Sequence, residues 1–88
     1  MRFTDTHCHL NFPEYADDLE EVAARAAEAG VGVINVGTDL AMSERAVSLA
    51  HEFPDMWAAV GSHPHHALDA PAAIAQLRKL AADPKVVA

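Results

Sequence analysis

The alternation of apolar runs with helical patterns is the feature that most constrains the fold of this chain. The runs VGVINV (residues 31–36) and MWAAVG (56–61) are short and almost entirely apolar, which is typical of strands buried on both faces of a parallel sheet. Segments 17–29 and 40–52 both repeat apolar residues at helical spacing, so both predict helices. Pro54 is expected to end the second helix. Strands that alternate with helices pair in parallel, and the sequence therefore predicts an α/β fold.

Both ends of the chain continue this alternation. RFTDTH near the N-terminus is typical of a short strand, and KVVA (residues 85–88) predicts the opening of a fourth strand. Between them a third helix is expected after the stretch SHPHH (residues 62–66), capped by Asp69 and with Pro71 in its first turn. Its inner face is predicted to carry Ile74, Leu77 and Ala81. The predicted order is βαβαβαβ, in a chain of 88 residues that is one domain at most.

Charge and composition exclude some classes of protein. The formal net charge is −7 with histidine neutral, which argues against a broad basic face that grips nucleic acid through phosphates alone. A bound divalent cation would reverse the sign of the field locally, so a nucleic-acid substrate stays open. No apolar run approaches the length of a membrane span, the N-terminus lacks the pattern of a signal peptide, and Cys8 is the single cysteine. We expect a soluble, cytoplasmic protein with no membrane partner.

The stretch DTHCHL places three polar side chains at alternate positions, Asp5, His7 and His9. In a strand these three project to one side and Cys8 projects to the other. Two imidazoles on one face can converge on a single metal ion, and neutral imidazole suits zinc, manganese or iron. Asp5 could accept a hydrogen bond from a ligating ring. The competing interpretation is an accidental pair of histidines on a surface strand.

A second pair of histidines, His63 and His65, follows the third predicted strand in the stretch GSHPHH. The carboxyl ends of parallel strands meet at one edge of a sheet, so both pairs are expected at that edge. There His63 and His65 could reach a phosphate or a metal-bound substrate oxygen. They could equally be exposed residues of a loop that follows a strand ended by Pro64. In the loop after the second strand, Thr38 or Asp39 is expected to cap the second helix.

Three motifs, taken together, resemble the TatD family of metal-dependent deoxyribonucleases. They are DTHCHLNF, INVGTD and VGSHPHHA, and they occur in this order across essentially the whole chain. The HxH pair alone would fit the wider amidohydrolase and phosphoesterase groups, whereas the joint occurrence of DTHCHL and GSHPH is specific. The resemblance implies the N-terminal part of a TIM-like (β/α)8 barrel with parallel strands. It also implies a centre of one or two divalent metal ions (Zn, Mg or Mn, identity unknown) at the C-terminal face.

The resemblance also implies roles for individual residues. His7 and His9 match the first metal-binding pair of the family, while His63 and His65 match residues expected near the substrate phosphate. The implied substrate is DNA, single-stranded in preference to duplex, and the implied reaction is hydrolysis of a phosphodiester bond. The family often has aspartate where this chain has Asn11, which leaves position 11 without an implied role.

Length is the larger departure from the family. Barrels of this kind run to about 250 residues, and residues 1–88 cover about three βα units and the start of a fourth strand. A metal-bridging glutamate is expected at the end of that strand, and further ligands are expected on later strands. We therefore expect a partial, truncated hydrolase domain that contains no catalytic base of its own and is inactive alone.

Two other interpretations remain open at this point. One is a different hydrolase of the same superfamily, acting on an amide or a small phosphoester. The other belongs to another class: a non-enzymatic fragment that self-associates, because three parallel strands leave two unpaired sheet edges.

Overall fold

The computed structural model describes residues 2–63 and 70–88, with the side chains of 70–72 outside that description. The predicted alternation of strands and helices is confirmed, and a short 3-10 helix follows the first strand. The elements are β1 (Phe3–Cys8), the 3-10 helix (Pro13–Tyr15), α1 (Leu19–Glu28), β2 (Val31–Val36), α2 (Leu40–Glu52), β3 (Met56–Ala59) and α3 (Ala70–Ala81).

The three strands form one parallel sheet in the order β1-β2-β3. The segment after α3 then joins the free side of β3. The Ala58 N–H donates to the Lys85 carbonyl at 2.9 Å, the Val87 N–H donates to the Ala58 carbonyl at 2.9 Å, and Ala58 and Val86 form a parallel bridge. The fold is therefore α/β with parallel strands, and its sequential strand order is that of the N-terminal part of a TIM-like barrel.

The helices bury one face of the sheet through two apolar clusters. The first joins the loop after β1, α1, the sheet and α2, and the second joins α2 to β3. Their members are Leu10, Leu19, Ala23, Val33, Leu49 and Met56 in the first, and Ala46, Val47, Ala50 and Ala58 in the second. Alanines dominate the second cluster, so the backbone of α2 can lie close to β3. This packing fixes where the carboxyl ends of the strands stand relative to the start of α2.

The predicted inner face of α3 is partly wrong. Leu77 is buried as expected, but Ile74 is 44 % exposed and Ala81 is exposed too. The helix is rotated so that Ala73, Leu77 and Leu80 form its covered stripe, and Leu80 packs against the second cluster. This stripe follows the spacing i, i+4, i+7, which is as helical as the predicted i, i+3, i+7. The predicted cap Asp69 lies outside the described residues.

Within residues 2–63 and 70–88, none of the helices combines the length and the apolar character needed to cross a membrane. The cytoplasmic location stays a prediction.

Gly37 allows α2 to start directly beside the end of β2. A Cβ atom at Gly37 would lie 2.5 Å from the Cα of Ser43 and closer still to its Oγ. Because the first of these atoms belongs to the helix backbone, rotation of a side chain cannot relieve the clash. A glycine is therefore required where β2 passes α2.

Replacement of Gly37 by alanine is expected to lower the free energy of unfolding by about 3 kcal/mol, because the new methyl group must displace the backbone of α2. Gly61→Ala is the matched control, since no heavy atom lies within 4 Å of a Cβ built there. Urea denaturation of both variants checks the prediction. Equal losses in the two variants would show that the approach at Gly37 is not the constraint.

His51 and Asp83 form a contact that links the end of α2 to the segment after α3. His51 Nε2 lies 2.6 Å from Asp83 Oδ2, and the Lys85 N–H donates to Asp83 Oδ1 at 2.9 Å. The hydrogen bond from His51, followed by that from the Lys85 backbone, holds the pKa of the Asp83 carboxyl below its usual range. These contacts place the segment that pairs with β3.

The Asp83 contacts predict a loss of stability in acid. The carboxyl has a lower pKa in the folded than in the unfolded chain, so its contribution is present above the ordinary aspartate value of about 3.9. The contribution is lost as the pH falls through the lowered value. Asp83→Asn keeps an acceptor for Lys85 but removes the charge, so we expect the variant to be less stable than the wild type at pH 5 and the gap to narrow below pH 4. Urea midpoints measured across this range check it, and a gap independent of pH would contradict it.

Candidate metal centre

The carboxyl ends of the three strands border one open cleft of about 590 Å³. Each strand, or the loop that follows it, contributes part of the wall. The lining residues are His7, His9, Phe12, Val36, Gly37, Thr38, Val60, Gly61, Ser62 and His63. The structure therefore brings His7, His9 and His63 together, as the strand arrangement predicts. His65 lies outside the described residues.

The His7 and His9 rings lie side by side at the end of β1. Their centroids are 4.9 Å apart and their planes meet at 85°. His7 is exposed and His9 is half-buried. Two imidazoles this close on one side of the chain can present a nitrogen each to a single ion.

The His9 ring is held from two directions. Its Nδ1 lies 3.1 Å from the Val36 carbonyl oxygen, and its ring face stacks on Phe12 with centroids 4.3 Å apart and planes at 22°. A carbonyl oxygen only accepts hydrogen bonds, so Nδ1 is the nitrogen that carries the proton. The lone pair on Nε2 is consequently left for a ligand, which is the arrangement found for metal-binding histidines.

Asn11 acts on the same carbonyl. Its side chain is 3 % exposed, and Nδ2 donates to the Val36 carbonyl at 3.1 Å and to the Met42 carbonyl at 2.9 Å. Its Oδ1 is buried with no hydrogen-bond partner among the described residues, so Nδ2 makes the polar contacts of this side chain. An ionised carboxylate has no proton to donate and could not replace these bonds. Position 11 thus links the end of β2 to the first turn of α2.

The pairing of β1 with β2 is irregular between Asp5 and Cys8. Asp5 aligns with Val33 and Cys8 aligns with Asn35, so β1 holds one residue more than β2 over this stretch. Such a bulge interrupts the alternation of faces. Asp5 Oδ1 accepts a hydrogen bond from the His7 N–H at 3.1 Å, which satisfies a backbone group at the irregularity. Asp5 therefore supports the backbone of His7, and a hydrogen bond from a ligating ring to Asp5 stays a prediction.

Cys8 is not among the residues that line the cleft. Its side chain is half-buried and packs against the first apolar cluster. Burial, and after it the negative charge of Asp5, raises the pKa of the Cys8 thiol. The thiol therefore stays protonated near neutral pH and is a poor metal ligand.

The loop after β3 is attached to the residues that follow β2. The His63 N–H donates to the Thr38 carbonyl at 2.8 Å, and Ser43 Oγ hydrogen-bonds to Gly61. Asp39 caps α2 by accepting from the Met42 N–H at 2.8 Å, so the expected capping residue is Asp39, while Thr38 lines the cleft. The position of His63 is thereby tied to the end of β2.

The two histidines at the end of β1 have no third candidate ligand beside them among the described residues. No group of three His, Cys, Asp or Glu side chains in residues 2–63 and 70–88 is arranged to hold a metal ion. A catalytic zinc usually has three protein ligands. The orientation of His9 fits a metal ligand, and metal binding by His7 and His9 stays a prediction.

Phe12, Val36, Asn11 and Ser43 contribute to the site without having been predicted from the sequence. The Val36 contribution is a backbone carbonyl, which leaves no mark in the sequence. Ser43 did have a signal, because it shares a helical stripe with the apolar residues Ala46 and Ala50.

Comparison with known proteins identifies the family. The sequence model of the TatD related DNase family matches residues 4–88. The chain belongs to the TatD related DNase family. Within that family it is similar to the 3'-5' ssDNA/RNA exonuclease TatD of Erwinia tasmaniensis, with 41 % identity over 87 residues that cover 96 % of this chain and 34 % of the relative.

Two further relatives have less specific names. An uncharacterized metal-dependent hydrolase of Bacillus subtilis, YabD, is 42 % identical over 86 residues, covering 96 % of this chain and 34 % of the relative. An uncharacterized metal-dependent hydrolase of Escherichia coli, YjjV, is 45 % identical over 64 residues, covering 72 % and 25 % respectively. The chain spans about one third of the length of the Erwinia and Bacillus relatives.

Removal of either His7 or His9 is expected to weaken the binding of Zn²⁺ at least about tenfold, because each ring is predicted to supply one ligand. Isothermal titration calorimetry of His7→Ala and His9→Ala checks this. His51→Ala is the matched control, since His51 lies on α2 and pairs with Asp83 outside the cleft. Similar affinities in all three variants and the wild type would contradict the assignment of the pair.

Proposed function

We propose that this chain is part of a metal-dependent nuclease that hydrolyses phosphodiester bonds of DNA, with single-stranded DNA as the preferred substrate. The observation that carries the proposal is the His9 ring, whose Nδ1 is engaged by Val36 and whose Nε2 is left for a ligand beside His7. The name of the Erwinia relative, a ssDNA/RNA exonuclease, supports a nucleic-acid substrate.

The proposed centre would contain one or two divalent ions, which could be Zn, Mg or Mn. His7 and His9 would bind one of them. Such an ion supplies Lewis-acid activation of water and neutralises the charge that develops on phosphate. The part of His9 is to present Nε2 in a fixed direction, because Val36 and Phe12 prevent the ring from turning. The part of Asp5 is to hold the backbone of His7 at the bulge.

The charge distribution around the cleft supports an anionic substrate. The net charge of −7 would repel DNA if it surrounded the site, but the described lining of the cleft contains histidines and no carboxylate. A concentration of acidic residues lies in a different surface region, around the start of α1, where Asp17, Asp18, Glu20 and Glu21 stand together. No carboxylate of the described lining therefore opposes a phosphate in the cleft, and we propose that His63 contacts it. The family resemblance implies the same role for His65, which lies outside the described residues.

We place residues 1–88 in the N-terminal part of a longer TIM-like barrel, about three βα units of it. This proposal is supported by the coverage of the relatives: almost the whole chain matches the Erwinia and Bacillus proteins, but it spans only about one third of their length. Carboxylates from later strands would then complete the metal centre and supply the base. In this arrangement β1, which pairs with β2 on one side, would receive its second neighbour from the remainder of the barrel.

A second candidate is a hydrolase of the same superfamily that acts on an amide or a small phosphoester. The Bacillus and Escherichia relatives are named as metal-dependent hydrolases, and these names specify no substrate. Self-association through sheet edges is a further candidate for the 88-residue chain. The observation that favours it is Phe3 on the edge strand β1, which is 67 % exposed. A stable monomer in light scattering would count against it.

The nuclease proposal predicts different results for the chain alone and for a completed barrel. The purified 88-residue chain should leave a labelled single-stranded oligonucleotide intact in Mg²⁺, Mn²⁺ or Zn²⁺, because it offers too few ligands. A chimera in which this chain replaces the matched third of the Erwinia relative should degrade the oligonucleotide. His7→Ala should abolish that activity and His51→Ala should preserve it.

Two outcomes would overturn parts of this proposal. Degradation by the 88-residue chain, abolished by His7→Ala, would show that residues 1–88 suffice for activity. A folded chimera that hydrolyses an amide or a small phosphoester but leaves DNA intact would favour the second candidate.

A further inference from the structure

We propose that Ser43 is a positioning residue that fixes the loop carrying His63 against the end of β2. Ser43 lies in the first turns of α2 and is completely buried. Its hydroxyl accepts a hydrogen bond from the Gly61 N–H at 3.1 Å and donates one to the Gly61 carbonyl at 3.3 Å. One side chain thus satisfies both backbone polar groups of Gly61, the second residue after the end of β3.

Gly61 has no side chain of its own to pack, so the two hydrogen bonds to Ser43 attach its backbone directly. A Cβ built at Gly61 would meet no heavy atom within 4 Å, whereas the preceding residue, Val60, packs against the second cluster. Gly37 has the opposite environment, because Ser43 lies against it so closely that no Cβ fits. The tight contact with Gly37 fixes Ser43, and the hydroxyl of Ser43 in turn fixes Gly61.

The loop has a second attachment two residues later. The His63 N–H donates to the Thr38 carbonyl at 2.8 Å. Residues 61–63 are therefore attached at both ends to residues that follow β2, once through a buried side chain and once through the backbone. Since His9 is also attached to the end of β2, through Val36, Ser43 helps to set the separation between His63 and the His7–His9 pair.

This inference has a structural part and a catalytic part. The structural part, that Ser43 positions the loop, stands on the hydrogen bonds alone. The catalytic part rests on the proposed nuclease function, in which His63 meets the substrate phosphate. Ser43 itself lines no part of the cleft, so its effect on a substrate passes through Gly61 and His63.

Amide hydrogen exchange measured by NMR on the 88-residue chain tests the structural part. In Ser43→Ala the Gly61 N–H should exchange about tenfold faster than in the wild type, because it loses its acceptor. The His63 N–H should also exchange several-fold faster as the loop loosens. Ser48→Ala, at an exposed serine of the same helix, should leave both rates unchanged. If Ser43→Ala does not fold, Ser43→Cys fills the site with a slightly larger side chain that has a weaker hydrogen-bonding group, and it should show the same pattern to a smaller degree.

Three exchange results would overturn the structural part. They are an unchanged Gly61 rate, a His63 rate that stays at the wild-type value while the Gly61 rate rises, and equal effects of Ser43→Ala and Ser48→Ala.

Kinetics of the chimera with the Erwinia relative test the catalytic part. Ser43→Ala should raise KM for a single-stranded oligonucleotide at least about fivefold while the Kd for Zn²⁺ stays within about twofold, since the His7–His9 pair is untouched. An unchanged KM, or a parallel loss of metal affinity, would overturn the positioning role in catalysis. If the wild-type chimera fails to degrade DNA, the nuclease proposal fails, and the exchange rates of Gly61 and His63 still decide the structural part.

Discussion

The carbonyl of Val36 is the group on which the candidate site depends. It accepts one hydrogen bond from His9 Nδ1 and another from Asn11 Nδ2. The parallel pairing of β1 with β2 places this carbonyl beside the chain as it leaves β1. Without it the His9 imidazole could turn and present either nitrogen, and a ligand of undefined direction binds a metal ion weakly.

The end of β2 organises both sides of the cleft through three consecutive residues. Val36 orients His9, Gly37 admits Ser43, and Thr38 accepts from the His63 N–H. None of these contacts uses a side chain of residues 36–38. The backbone at the end of β2 therefore relates the His7–His9 pair to the loop after β3, and a disturbance at Gly37 should affect both.

The fold was largely predictable because its signals are local. β2 and α2 have the predicted bounds, since an apolar run between glycines and a helical stripe that ends before Pro54 are marked in the sequence itself. The failures have physical reasons. The rotation of α3 depends on which of two equally helical stripes meets α2, and the bulge in β1 depends on a side chain that bonds its own backbone. For the site, the histidines were predictable as residue types, whereas the backbone groups that orient them follow from register.

Membership of the TatD related DNase family and the geometry of the cleft both indicate that the N-terminal motif DTHCHL is part of the candidate site. DTHCHL supplies two neighbouring rings, and the residues after β2 give one of them a defined direction. The measurement that tests this most directly is the tautomer of His9, read from the ¹⁵N shifts of its ring in a long-range ¹H–¹⁵N NMR spectrum of the metal-free chain at pH 8. The proton is predicted to reside on Nδ1, with Nε2 unprotonated. A proton on Nε2, or the averaged shifts of a ring that exchanges between tautomers, would contradict the role of the Val36 carbonyl.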